Sequence, residues 1–219
     1  MKFVLFYHSL VSDWNHGNAH FLRGIVAELQ SRGHDVEVYE PEDAWSVIQL
    51  DADHGEKAIV EWQARYSQLR SHRYRRDRFD VERALDGADV AIVHEWNDPA
   101  LVAAVGQFAQ PSCRVFFHDT HHRSVSAPEE MARYDLREYD GVLAFGEAVR
   151  QRYLESAWCE RAFTWHEAAD TRVFHPRPRP DQSDGDLVWI GNWGDDEREA
   201  ELRGFLIDPV RTLGLSARL

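Results

Sequence analysis

Residues 17–41 have the sequence GNAHFLRGIVAELQSRGHDVEVYEP, which predicts a helix, a tight turn and a strand. Apolar side chains recur at helical spacing, at Phe21, Leu22, Ile25, Val26 and Leu29. Asn18 can cap the start of this helix, and Gly33 stands where a helix end favours a left-handed residue. A continuous apolar run at 3–7 precedes the helix, and residues 36–39 after it predict a second strand, which ends at Pro41. The segment therefore predicts a strand–helix–strand unit of a parallel sheet.

The same alternation continues to about residue 165. Short apolar runs predict further buried strands, at 90–93, 115–117, 142–145 and 162–165. Helical spacing and capping residues predict helices, at 56–73, 81–85, 99–108, 129–134 and 147–154. Strands that alternate with helices in this way predict an α/β fold with a doubly wound, Rossmann-like parallel sheet.

A change of composition after this region predicts a boundary between two domains. Residues 176–186 are rich in Pro, Asp and Gly and have no apolar period, as is typical of a linker. We expect a first domain at 1–175. Residues 187–219 predict the beginning of a second, incomplete α/β domain, with a strand at 187–190 and a helix at 197–213.

The composition predicts a globular protein that acts on small molecules. The 219 residues are 43% hydrophobic and 29% charged, with a formal net charge of −13. Nucleic-acid binding needs an excess of Lys and Arg, so we expect no nucleic acid as a partner. No apolar run approaches the roughly 20 residues of a spanning helix. Cys113 and Cys159 form no CxxC motif, which favours a cytoplasmic location.

Polar residues follow most of the predicted strands, at the sheet edge where doubly wound folds bind ligands. These residues include His94, Glu95, His118, Asp119, His121, His122, Glu147 and Glu167. Each histidine alone is more typical of a structural hydrogen bond, but several at one edge predict a cleft for a hydroxyl-rich ligand. Gly17 and Asn18 stand at a helix N-terminus. The free backbone N–H groups there favour an anion such as phosphate, and the alternative is that the two residues form only a cap and a turn.

Two clusters allow other interpretations. HDTHH at 118–122 contains the ligand types of a zinc or iron site, which would suit a metal-dependent hydrolase, although its spacing matches no common metal motif. The second cluster consists of arginines, at Arg65, Arg70, Arg73, Arg75, Arg76 and Arg78. It predicts a solvated helix face, or a grip on an anionic acceptor or a membrane surface.

Five segments together resemble glycosyltransferases of the GT-B fold. They are the opening segment 17–41, AIVHEW at 91–96, EYDGVLAFGEAVRQRY at 138–153, HEAADTRVFHP at 166–176 and LVWIGNWGDDER at 187–198. The fourth segment is similar to the end of the first domain in family 4 transferases, and the fifth to the first strand and loop of their second domain. The CgeB-like group of glycosyltransferases is the variety that the chain resembles most.

This resemblance implies hexosyl transfer from a nucleotide-sugar, as donor substrate, to a small-molecule or glycan acceptor, with no metal and no cofactor. It implies that residues 1–175 hold the acceptor and that the chain is inactive alone, with self-association possible through residues 187–219. A non-catalytic binding module is the other alternative.

The resemblance also implies roles for single residues. It places His118 and Asp119 nearest the reacting hydroxyl, as catalytic groups. It places His94 and Glu95 around the acceptor, with Gly17 and Asn18 near the donor phosphate or the acceptor. On the donor side it places Gly191 and Asn192, and at the domain hinge Asp170.

Overall fold

A computed structural model describes residues 1–12, 17–178, 185–191, 193 and 196–218, without the side chains of 196 and 197. The chain divides into two compact units, Met1–His175 and Pro176–Leu219.

The first unit is built on seven parallel strands. Their bounds are β1 Lys2–Phe6, β2 Asp35–Pro41, β3 Ser71–Tyr74, β4 Val90–His94, β5 Arg114–Asp119, β6 Gly141–Ala144 and β7 Ala162–Thr164. The strand order is β3-β2-β1-β4-β5-β6-β7, and every neighbouring pair is parallel. The predicted doubly wound α/β fold is therefore confirmed.

Helices connect these strands. Their bounds are α1 Gly17–Ser31, α2 Trp45–His54, α3 Glu56–Arg65, α4 Val81–Ala84, α5 Pro99–Phe108, α6 Arg123–Ser126, α7 Pro128–Met131 and α8 Glu147–Glu155, with a 3₁₀ turn at Arg76–Arg78. Asp98 caps α5 by accepting from the backbone N–H of Ala100 at 2.9 Å, as its position before Pro99 predicts.

The sheet is covered on both faces, which explains why its strands contain continuous apolar runs. Successive side chains of β1 enter opposite cores: Val4 and Phe6 lie in one, and Leu5 lies in the other with Tyr7, the residue after the strand. Val93 and Phe117 join the first core, and Ile92 joins the second.

The segment between β2 and β4 differs from its prediction in two places. The predicted helix at 56–73 ends at Arg65, and Ser71–Tyr74 forms the edge strand β3, parallel to β2. The helix Trp45–His54 was not predicted. Edge strands such as β3 carry polar residues, so SHRY lacks the apolar run that marked the other strands.

The second unit is small. It contains strands β8 Leu187–Val188 and β9 Ala217–Arg218, which pair in parallel, and helices α9 Asp196–Leu202 and α10 Asp208–Leu213, joined by a π-helical turn at Arg203–Ile207. Ile190, Phe205 and Leu213 are exposed. Across both units, no described helix has the combination of length and apolar character needed to cross a bilayer.

Candidate functional site

The strand order reverses between β1 and β4, and doubly wound sheets bind ligands in the crevice at this point, beyond the carboxyl ends of the strands. A cavity of about 650 Å³ lies there. Its lining comes from segments that follow β1, β2, β3, β4, β5 and β7, with Gly17 and Asn18 from α1: His8, Gly17, Asn18, Asp43, Ala44, Trp45, Arg76, Trp96, Thr120, His121 and Glu167. We call it the switch-point cavity.

Two indole rings line the switch-point cavity and are open to solvent. Trp45, at the start of α2, is 64% exposed, and Trp96, two residues after β4, is 49% exposed. Arg123 lies over the Trp96 ring, with its guanidinium carbon 4.4 Å from the ring centroid. The ring of His121 meets Trp96 edge-on, with centroids 5.8 Å apart. The Trp96 indole is thus held in place while part of its surface stays open.

A chain of polar side chains in contact with one another supplies part of the wall of the switch-point cavity, through Asn18, Glu167 and Thr120. Ser9 donates to Asn18 Oδ1 at 2.9 Å, and Asn18 donates from Nδ2 to Glu167 Oε1 at 2.9 Å. The same Nδ2 lies 3.2 Å from Nε2 of His94, which lies 3.1 Å from the hydroxyl of Thr120. These contacts connect the ends of β1, β4, β5 and β7 through α1. Partial burial raises the pKa of Glu167, and the hydrogen bond from Asn18 offsets part of that increase.

Buried groups hold the turn after β5, which carries Thr120 and His121. Glu95 Oε1 accepts from the backbone N–H of Thr120 at 2.9 Å, and Asp119 Oδ1 accepts from that of His121 at 2.9 Å. Tyr153 donates to Asp119 Oδ2 at 2.8 Å. Glu95 and Asp119 are both fully buried. Burial, and after it the neighbouring Asp119 carboxyl, raise the pKa of Glu95 to about 9, so the Glu95 carboxyl is protonated at neutral pH.

His118 also lies beneath the surface of the switch-point cavity. Its side chain is fully buried, with Nδ1 2.7 Å from the hydroxyl of Tyr7. Its ring packs against those of Phe21 and Trp165, with centroids 5.7 and 4.8 Å away. Burial lowers the pKa of His118 to about 3, so the imidazole is neutral at neutral pH. Its assignment as a catalytic group stays a prediction.

The loop after β1 is fixed by two buried charged side chains. Arg23 of α1 donates to the backbone carbonyls of Leu10 and Ser12, at 3.0 and 2.9 Å. Glu40 of β2 accepts from the backbone N–H of Leu10 at 2.7 Å. Both side chains are buried, and neither lines the switch-point cavity.

The structure brings most of the predicted site residues together. Gly17, Asn18, His121 and Glu167 line the switch-point cavity. His94, Glu95 and Asp119 are fully buried and contact the lining residues Asn18, Thr120 and His121. His118 is also fully buried and contacts Tyr7, the residue before the lining residue His8.

The other predicted site residues do not line the switch-point cavity. The carboxylate of Glu147, at the start of α8, is bound by Arg150 and Thr164. His122 contacts the Ser126 hydroxyl at 2.9 Å. Gly191 belongs to the second unit, and Asn192 lies outside the described residues.

The HDTHH segment does not form a metal centre. Its side chains have separate partners: Tyr7 for His118, Tyr153 for Asp119, Trp96 for His121 and Ser126 for His122. Among the described residues, no three His, Cys, Asp or Glu side chains are arranged to hold a metal ion. The geometry does not favour a metal-dependent hydrolase.

The arginine cluster does not form the predicted helix face. Arg73 lies in β3 and donates to the carbonyl of Pro41 at 2.8 Å. Arg76 starts the 3₁₀ turn and donates from Nε to both carboxylate oxygens of Asp43, at 3.0 and 3.2 Å. The cluster is spread over a helix, a strand and a turn because the predicted helix ends at Arg65.

Several lining residues were not predicted, namely His8, Asp43, Ala44, Trp45, Arg76, Trp96 and Thr120. His8, Trp96 and Thr120 each lie one or two residues after a strand, so the rule that ligands bind beyond strand ends was sufficient to select them. Asp43, Ala44, Trp45 and Arg76 depend on α2 and β3, which the sequence pattern did not reveal.

The fold and the cavity define a Rossmann-like α/β domain with a cavity at its topological switch point. No family model matches the chain, and no curated protein matches it. Among solved structures, it is similar to an alpha-glucosyltransferase in complex with UDP-glucose and DNA containing an abasic site, with a TM-score of 0.58 and 14% identity. That match covers 95% of this chain and 55% of the glucosyltransferase, so the chain spans about half of its length.

This likeness supports a GT-B-like fold. The expectation that nucleic acid is not a partner finds no support in it, since that neighbour was solved with DNA. A malate dehydrogenase from Naegleria fowleri matches with a TM-score of 0.34 and 16% identity, over 71% of this chain and 49% of the other, which is too low for further comparison.

Proposed function

We propose that this chain belongs to a glycosyltransferase that moves a hexosyl group from a nucleotide-sugar to an acceptor hydroxyl held in the switch-point cavity. The observation that carries the proposal is the position of this cavity at the strand reversal of a GT-B-like fold, with a partly buried carboxylate in its wall. The UDP-glucose of the structural neighbour supports a nucleotide-sugar as donor. Membership of family 4 or of the CgeB-like group, and a cytoplasmic location, are part of the same proposal.

Glu167 is the group best placed to act as a general base. Its carboxylate lines the switch-point cavity, and Asn18 holds Oε1 at 2.9 Å. In the proposed step the acceptor hydroxyl gives its proton to Glu167 while the acceptor oxygen forms a bond to C1 of the donor sugar. The bond between C1 and the donor phosphate oxygen breaks, and the nucleoside diphosphate leaves with that electron pair.

His118 and Asp119 act in this proposal as positioning residues. Both are fully buried, so they influence the acceptor through the side chains above them. Asp119 holds the backbone of His121, and His118 packs beside His94, whose Nε2 contacts Asn18. The donor roles of Gly191 and Asn192 remain predictions.

The experiment is transfer of radiolabelled sugar by the product of the full reading frame. The donors are UDP-, GDP- and dTDP-sugars, and the acceptors are pooled glycans and small alcohols. We expect labelled product with at least one donor, and loss of that product in Glu167→Gln. Donor binding without transfer to any acceptor would favour a non-catalytic binding module instead.

A further inference from the structure

We propose that the switch-point cavity takes the uncharged end of a saccharide, with a sugar ring against an indole and its hydroxyls on the polar chain of Asn18, Glu167 and Thr120. Saccharide binding is inferred from the cavity itself. Only the statement that the bound saccharide is the acceptor rests on the proposed function.

The apolar part of the argument is the pair of exposed indoles. Trp45 is 64% exposed and Trp96 is 49% exposed, and both line the same cavity, where a ligand would remove apolar ring surface from water. Arg123 occupies one face of Trp96, so at most one face remains for a ligand. A pyranose presents C–H bonds on its flat side, and these suit the negative face of an aromatic ring.

The polar part of the argument is the type of group that surrounds the indoles. Asn18 and Thr120 offer both donors and acceptors, and Glu167 offers acceptors only. Partial burial and the adjacent His122 lower the pKa of His121, so its imidazole is neutral and supplies one donor and one acceptor. Such a mixture matches hydroxyl groups, each of which donates one hydrogen bond and accepts others.

The charges of the lining disfavour an anionic ligand. Among the described lining residues the guanidinium is that of Arg76, and both carboxylate oxygens of Asp43 already neutralise it. Arg123, behind Trp96, forms an ion pair with Glu130 at 3.0 Å. The Glu167 carboxylate contacts Asn18, which lies in the first turn of α1. A phosphate that approached the start of this helix would therefore meet the Glu167 carboxylate. Among these side chains, a nucleic acid or a sugar phosphate would meet carboxylates, while both arginines are already paired with acidic residues.

The volume suits a ligand larger than a single ring. The 650 Å³ of the switch-point cavity lie within the range of about 300–1,000 Å³ that small-molecule sites occupy. Trp45 and Trp96 come from different segments of this wall, after β2 and after β4.

The test is saturation-transfer NMR and calorimetry with matched ligands. The uncharged probes are methyl glucoside, cellobiose, maltose and chitobiose, and the anionic probes are glucuronate, glucose 6-phosphate and a short single-stranded oligonucleotide. We expect an uncharged disaccharide to bind more tightly than every anionic probe. Trp96→Ala should weaken that binding about tenfold, which equals about 1.4 kcal/mol. Trp96→Phe should retain part of the affinity, and Phe108→Ala, an exposed aromatic residue on α5, should retain all of it.

The outcomes separate this inference from the proposed function. Tighter binding of any anionic probe, absence of binding by all uncharged probes, or unchanged affinity in both Trp96→Ala and Trp45→Ala would overturn the inference. If these outcomes are found but sugar is still transferred, to a non-sugar acceptor, the proposed function holds and the inference about saccharide binding fails. If saccharides bind as expected but no donor supports transfer, the ligand class stands and the proposed function fails.

Discussion

Asn18, in the first turn of α1, donates a hydrogen bond of 2.9 Å to Glu167, a residue 149 positions later in the chain. This bond joins the helix after the first strand to the segment after the last strand of the seven-stranded sheet. The two residues come from near the two ends of the sequence of the first unit, and both line the switch-point cavity. A carboxylate that is held by an amide and partly removed from water has the properties of a general base.

Glu167→Gln should lower the turnover of sugar transfer by about 100-fold or more, the usual loss for a general base. Glu167 can accept a proton only when its carboxyl is ionised, and burial raises its pKa. Wild-type transfer should therefore fall as the pH decreases through the pKa of Glu167, and this fall at acid pH should be absent from the variant. Initial rates across the pH range measure both effects. Glu155→Gln, an exposed acid on α8, serves as the control. Equal turnover in wild type and Glu167→Gln would remove Glu167 from the reaction.

Gly17→Val should weaken ligand binding and leave stability nearly unchanged. A Cβ at Gly17 meets no atom within 4 Å of the described structure, yet the residue lines the switch-point cavity. Calorimetry with the best saccharide and thermal unfolding measure the two quantities.

Gly24→Val is the matched variant on the same helix, outside the switch-point cavity. A Cβ there would lie 3.0 Å from Cβ of Asp170, so we expect a loss of about 1–3 kcal/mol in the free energy of unfolding. Unaltered affinity in Gly17→Val would mean that ligands do not approach the helix start.

His118→Ala should reduce the free energy of unfolding by about 2–5 kcal/mol, because it opens a cavity among buried rings and leaves the Tyr7 hydroxyl without its partner. His118→Phe preserves the volume and should cost less. Urea unfolding of both variants measures the difference. Loss of activity without any loss of stability in His118→Ala would show that His118 acts on the substrate directly.

Glu95→Gln should make stability less dependent on pH. The folded state raises the pKa of Glu95, so the stabilisation is complete below the unfolded value near 4.3 and is lost as the pH rises toward the folded value. Thermal unfolding between pH 5 and pH 9, at about one-unit steps, should show a falling midpoint in wild type and a flatter profile in the variant. Parallel profiles would contradict a raised pKa of Glu95 in the folded state.

The sequence predicted the centre of the fold better than its edge. β1, β4 and β5 lie between two helical layers, and their continuous apolar runs marked them clearly. β3 pairs on one side alone, with β2, so the polar sequence SHRY suffices for it. The helix Trp45–His54 was not predicted because some of its exposed residues are apolar. Its apolar residues therefore do not fall on one face at a clear helical spacing.

The site was predictable to the extent that strand ends mark it. Asn18, His121 and Glu167 could be named because they follow strands or start a helix. The depth of each side chain could not be predicted, since His118 and His121 have the same type and lie three positions apart. Their different exposure arises because His118 is still within β5 and points into the layer of Phe21 and Trp165, whereas His121 follows the strand end.

The clamp of Arg23 and Glu40 on residues 10–12 has a consequence for the free energy of ligand association. Loops beside binding sites commonly lose conformational freedom when a ligand arrives, and that loss subtracts from affinity. Here the backbone of Leu10 is held at both its N–H and its carbonyl. Residues 10–12, which follow the lining residue His8, are therefore already ordered before binding, so holding them in place adds no entropic penalty to complex formation.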